Sequence, residues 1–128
     1  MEDRSASPFT IVGDGRAVEE ALTSPTPLER VGDLVRSSDV FLFIKGTPEQ
    51  PMCGFSANTV AIMNATGVPY RSFDVLSDPA LRDAAKEYAK WPTFPQLWVR
   101  GELVGGNDII TEMYQAGELD EVLRGTEG

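Results

Sequence analysis

The sequence predicts an α/β domain in which helices flank a central four-stranded mixed sheet. Val40-Phe41-Leu42-Phe43-Ile44 is a continuous apolar run bounded by polar and turn residues, the pattern of a short strand buried on both faces. From Leu28 to Leu123, segments with helical apolar spacing alternate with short β-rich segments, the alternation that pairs strands in parallel through a crossover helix. A Gly101-Glu102 turn between two further β segments adds a hairpin, so part of the sheet is antiparallel. The 128 residues fit one domain and are 41% hydrophobic, enough for a core without a metal or a disulfide.

Each element follows from its residues. Leu28, Val31, Leu34 and Val35 share one helical face, predicting a helix over 28–37. The apolar strand 40–44 ends at Lys45-Gly46-Thr47-Pro48, and a loop runs to Met52. Residues 56–66 lack breakers and read as a helix, with Gly67 as its C-cap. Tyr70 to Val75 alternates as a second strand. Asp78-Pro79 opens the next helix, Asp78 as N-cap and Pro79 at the first helical position, running to about Ala89. Gln96 to Arg100 is a strand, and Leu103-Val104 returns as its partner. Asn107 or Asp108 caps a helix to about Ala116, and Glu118 to Leu123 forms a last short one. A right-handed crossover makes the first two strands parallel. This order is a thioredoxin-like pattern.

The division expected is an N-terminal extension, 1–27, and a compact domain, 28–128. Ser5, Ser7, Pro8, Ser24, Pro25 and Pro27 punctuate the extension. Two readings of it stay open: a mobile tail, or a short strand at 9–12 followed by a short helix at 16–22.

Eleven basic against twenty acidic residues give a net charge of −9. That argues against nucleic acid as a partner, which calls for a basic face. No apolar run has the length of a membrane span. The start of the chain lacks a basic region followed by an apolar stretch, so no signal peptide is expected. The one cysteine rules out an intramolecular disulfide and points to a reducing compartment, with the cytoplasm as the expected location.

That cysteine, Cys53, follows a strand and its loop and precedes a helix. Free N–H groups and the helix dipole at such a position favour the thiolate, and Lys45 adds positive charge. A thiolate is both a nucleophile and a metal ligand. The alternative is a buried, inert thiol, but the Pro51-Met52-Cys53-Gly54-Phe55-Ser56 segment is not an apolar run. Ser56 stands where a C-x-x-C pair would have its second thiol, which closes the two-thiol cycle. Ser56 also reads as a helix N-cap.

Four segments in order, Lys45-Gly46-Thr47-Pro48, Cys53-Gly54-Phe55-Ser56, Trp91-Pro92-Thr93-Phe94-Pro95-Gln96-Leu97-Trp98 and Gly105-Gly106-Asn107-Asp108, resemble the signature of the monothiol glutaredoxins, across roughly 28–124. The resemblance implies a thioredoxin-like fold and a glutathione-binding groove. It further implies a [2Fe-2S] cluster bridging a homodimer, with one cysteine thiolate from each subunit and two from glutathione; Cys53 would be the cluster ligand. By position, Lys45 matches a lysine that pairs with a glutathione carboxylate, and Arg82 a second such contact, where the residues alone read as an exposed helix arginine. Phe94 matches a residue whose main chain pairs with the cysteinyl part of glutathione, and Pro95 is expected to be cis, against the alternative of an ordinary trans proline. Asn107 and Asp108 match the γ-glutamyl end of the site at a helix N-terminus, where capping is the alternative role. Trp91 and Trp98 read as packing residues, Trp91 flanking the groove. Many relatives have a cysteine where Asn107 stands, so a regulatory disulfide with Cys53 is excluded in this chain.

The expected function is therefore an iron–sulfur cluster carrier that delivers to apo iron–sulfur proteins. One alternative is a monothiol oxidoreductase that removes glutathione from mixed disulfides. The resemblance assigns the Thr47-Pro48-Glu49-Gln50-Pro51 loop to the cluster-carrying class, with weaker reductase turnover. A redox-sensing interaction module is the remaining alternative.

Overall fold

A strand buried on both faces needs a packed layer on each side, and β1 (Val40–Ile44) is buried at all five positions. The computed structural model describes residues 25–125. Successive side chains of a strand point to opposite faces, so β1 divides between two cores. Val40, Leu42 and Ile44 pack with Val60 and Met63 of α2 (Gly54–Thr66), Ile110 of α4 (Asn107–Gln115) and Leu123 of α5 (Leu119–Arg124). Phe41 and Phe43 face the other way, against Val31 and Val35 of α1 (Pro27–Val35) and Leu81 and Ala85 of α3 (Pro79–Ala89).

The sheet order is β2-β1-β3-β4. β2 (Arg71–Asp74) runs parallel to β1; β3 (Gln96–Val99) is antiparallel to β1, and β4 (Glu102–Gly105) antiparallel to β3. This is the mixed four-stranded sheet flanked by helices that the segment order predicts. The parallel pair brings the C-terminal ends of β1 and β2 side by side, where Ile44 is level with Asp74. The chain leaving both strands there builds one end of the site.

Several boundaries differ from expectation, each for a local reason. α1 starts at Pro27 rather than 28, because Thr26 and Glu29 form a reciprocal capping box: Glu29 N–H donates to Thr26 Oγ1 at 3.2 Å and Thr26 N–H donates to Glu29 Oε1 at 2.9 Å. α2 begins at Gly54 with Cys53, not Ser56, as its N-cap. β2 stops at Asp74, and Val75–Ser77 forms a 3-10 turn, because the Asp74 side chain accepts from Leu76 N–H. The hairpin turn is Arg100-Gly101, both at positive φ (50° and 83°), rather than Gly101-Glu102, so β4 is longer than Leu103-Val104. The N-cap of α4 is Gly106, not Asn107 or Asp108. Asp78 caps α3 as expected, accepting from Leu81 N–H at 3.1 Å, and Gly67 ends α2 in the left-handed region. The strand expected at 9–12 and the helix expected at 16–22 lie outside the described residues. Among those described, no helix is long and apolar enough to cross a membrane.

Candidate functional site

Cys53 sits in extended conformation at the mouth of α2, partly exposed. Its sulfur accepts from Ser56 N–H at 3.3 Å, doing what an oxygen does at most helix N-caps. Ser56 is fully buried beneath it. The Ser56 Oγ accepts from Lys45 N–H at 3.1 Å and from the Cys53 thiol at 3.4 Å; when Cys53 ionises, the hydroxyl turns to donate to the sulfur. Burial pushes the Cys53 thiol up. The Ser56 hydroxyl, the Ser56 and Phe55 N–H groups and the Lys45 charge outweigh it and hold the thiol below its ordinary value. Ser56 thus favours the ionised form of Cys53 and ties the helix start to Lys45 just past β1, and is not the helix cap.

The loop leading to Cys53 closes on itself. Met52 N–H donates to Lys45 O at 2.8 Å, Thr47 and Gln50 exchange main-chain hydrogen bonds, and Gly46 bridges Pro51. Gly46 has φ +94°, and a Cβ there would lie 2.5 Å from Gln50 O, so the turn needs glycine. Beyond the loop, Met52 and Phe55 are 64% and 61% exposed on either side of Cys53 in sequence, an unusual setting for large apolar side chains.

Next to this thiol is a cleft of about 590 Å³. Lys45 and Phe55 line it near Cys53, Leu76 from the 3-10 turn, Arg82 and Lys86 from α3, the Trp91–Phe94 segment, and the Gly106–Ile109 segment at the start of α4. Of the residues singled out in the sequence, Lys45, Arg82, Phe94, Asn107 and Asp108 line this one cleft. Cys53 does not line it but adjoins it through Lys45 and Phe55. Pro95 lies buried behind it, and the Phe94-Pro95 bond is cis.

The polar groups of the cleft are partly unspent. The Arg82 Nε is buried without a hydrogen-bond partner among the described residues, its closest carboxylate being Asp83 at 3.7 Å. The Trp91 indole N–H is likewise buried and unpaired. The Phe94 side chain belongs to the core, its ring 6.3 Å from that of Phe43. It therefore offers the cleft its main chain, which makes no hydrogen bond among the described residues. Asn107 Oδ1 accepts from Asn58 Nδ2 at 2.8 Å and from Thr59 Oγ1 at 3.0 Å, so its side chain fastens α4 to α2 instead of capping α4.

Lys86 and the Asn58-Thr59 pair escaped the sequence reading. Lys86 is four residues after Arg82 on one helix, a spacing that puts both on the same face; that signal was present in the sequence. The Asn58-Thr59 contact depends on how α2 packs against α4 and had none. Trp91 lines the cleft, whereas Trp98 is core, its Nε1 donating to Gln96 Oε1 at 3.2 Å. Three cations around a cleft beside a thiol held below its ordinary pKa suit a small anion that carries carboxylates and a sulfur. Among the described residues no three His, Cys, Asp or Glu side chains gather as a metal site.

The glutaredoxin family model matches residues 40–104, from the start of β1 into β4. The chain is a glutaredoxin. It is 49% identical over 100 residues to a protein of Synechocystis sp. called an uncharacterized monothiol glutaredoxin, covering 78% of this chain and 94% of that one. The solution structure of a monomeric truncated mutant of Trypanosoma brucei 1-C-Grx1 superposes with a TM-score of 0.71 at 42% identity, covering 81% of this chain and 94% of that one. The crystal structure of a buckwheat glutaredoxin–glutathione complex superposes with a TM-score of 0.68, covering 79% and 88%; at 23% identity that likeness is one of fold. This glutaredoxin is of the monothiol kind and has the thioredoxin-like fold, as the four segments suggested.

Proposed function

We propose that this glutaredoxin binds glutathione in the cleft beside Cys53, and that two copies hold a [2Fe-2S] cluster between them for delivery to apo iron–sulfur proteins. One observation carries the reading: a partly exposed sulfur, held toward the thiolate by Ser56, beside a cleft lined by Lys45, Arg82 and Lys86. Glutathione is a γ-glutamyl tripeptide with two carboxylates and a thiol, which matches that set of groups. Lys45 and Arg82 take one carboxylate, the Phe94 main chain pairs with the cysteinyl part ahead of Pro95, and the α4 N-terminus at Asn107 and Asp108 takes the γ-glutamyl end.

The residues also fit the cluster as cargo. Thiolates are its usual ligands, and Cys53 supplies one from each chain, so a second chain and two glutathione thiolates complete four. The exposed Met52 and Phe55 are placed to shield such a centre from water. We assign the glutaredoxin domain to 28–128, with 1–27 as an extension, and the protein to the cytoplasm.

Anaerobic reconstitution with iron, sulfide and glutathione tests this. The expected product is a coloured dimer that needs both glutathione and Cys53. A colourless monomer, or the same dimer from Cys53→Ser, rejects it.

The thiolate-favouring contacts at Cys53 also support a second reading, removal of glutathione from mixed disulfides, since that exchange needs only one thiolate. A glutathione-dependent disulfide reduction assay separates the two: rapid turnover favours the reductase, slow turnover with a stable cluster the carrier.

A further inference from the structure

The loop before Cys53 is tied to the neighbouring strand by a residue outside the cleft. Asp74 is the last residue of β2. Its Oδ1 accepts from Gly46 N–H and from Leu76 N–H, both at 2.8 Å. Gly46 directly follows Lys45, and both Lys45 and Leu76 line the cleft. One carboxylate oxygen thus joins the chain leaving β1 at Lys45-Gly46 to the turn that carries Leu76. The Ser77 hydroxyl donates to Asp74 O at 2.7 Å and steadies that turn. The loop beyond Gly46 is closed by Met52 N–H on Lys45 O and by the Gly46–Pro51 bridge. A closed loop moves as a unit, so a pin at Gly46 restrains it as far as Met52.

We infer that Asp74 is a positioning residue, holding the Lys45–Met52 loop against the 75–77 turn and so fixing the Lys45 end of the cleft and the approach to Cys53. It acts through Gly46 and Leu76. Ending β2 would need only the local bond to Leu76; the bond to Gly46 spans 28 residues of sequence and joins two strand ends. The role depends on an acceptor oxygen with two lone pairs, which an asparagine also provides. The effect on glutathione rests on the function proposed above; the effect on the loop does not.

The test uses the full chain as wild type, Asp74→Ala and Asp74→Asn. Amide hydrogen exchange is read by NMR at Gly46, Met52 and Leu76, and glutathione affinity by calorimetry. Asp74→Ala is expected to speed exchange at Gly46 and Leu76 at least about tenfold, and to weaken glutathione roughly tenfold, the loss of about 1.4 kcal/mol. Asp74→Asn is expected to stay close to wild type in both. The inference is overturned by an unprotected Gly46 amide in the wild type, by Asp74→Ala exchanging like wild type, or by Asp74→Asn losing protection. Wild-type exchange and Asp74→Asn decide it even where Asp74→Ala does not fold. Absence of glutathione binding in the wild type rejects the proposed function, and the exchange data then judge Asp74 alone.

Discussion

At the scale of single residues, the chemistry turns on how three donors and one charge treat one sulfur. The Cys53 thiol is raised by burial and lowered further by the Ser56 hydroxyl, two N–H groups and Lys45. The sign of the net shift sets the pH behaviour. With its value lowered, Cys53 is more thiolate at neutral pH than an ordinary cysteine, and its reactivity falls away only as pH drops through that lowered value. Iodoacetamide alkylation against pH is therefore expected to have its midpoint below that of a free cysteine. Ser56→Ala removes the hydroxyl donor and should move the midpoint upward; an unmoved midpoint would discard the role given to Ser56. The helix-start position of Cys53 was legible in the sequence because strand, loop and helix are each encoded locally. Its service as the cap itself was not, because cap expectations rest on oxygen-bearing side chains and Ser56 was the nearer oxygen.

At the scale of elements, what matters is how helices are fastened to one another. Asn107 links α4 to α2 through Thr59, which is fully buried and whose hydroxyl finds its partner in Asn107. Asn107→Ala leaves that hydroxyl unsatisfied and is expected to cost about 1–3 kcal/mol in urea unfolding, while Asn107→Ala combined with Thr59→Val should recover part of the loss. An N-cap performs the same service for α3. Asp78 accepts from Leu81 N–H and lies 3.0 Å from Arg30 of α1, and these contacts hold its carboxyl below the usual range. A lowered carboxyl contributes stability that is fully present above its ordinary pKa and is lost as pH falls through the lowered value. Asp78→Ala should accordingly lower Tm at neutral pH and much less in strong acid; an equal drop at both would point to a cause other than the charged cap. The Asp78-Pro79 start was readable from two adjacent residues. The Asn107 link joins residues 48 apart in sequence, and no local pattern reports such a contact.

At the scale of the whole molecule, β1 divides the interior into two cores, each of which supports a different part of the site. Leu42 and Phe43 are both fully buried, on opposite faces. Truncation of either should destabilise the fold, by about 2–5 kcal/mol for Leu42→Ala and about 3–5 kcal/mol for Phe43→Ala in urea unfolding. The ring of Phe43 also packs edge-on against those of Phe73 and Phe94, and Phe94 reaches the cleft. On the function proposed above, glutathione affinity should therefore fall in Phe43→Ala under conditions where it is folded. An unchanged affinity would mean that Phe43 supports the fold but not the Phe94 end of the cleft.

The amino-acid sequence by itself determined the order of helices and strands, the sheet class, the lone sulfur at a helix start and the four segments that mark a glutaredoxin. These are local matters, set by apolar period, turn residues and motif spacing over a few residues. Only the tertiary structure decided which distant groups meet: Asn107 on Thr59, Asp74 on Gly46. Such contacts depend on the register of β1 with its neighbours and on the packing of helices across the sheet, and these are fixed by the whole chain folding at once rather than by any stretch of it.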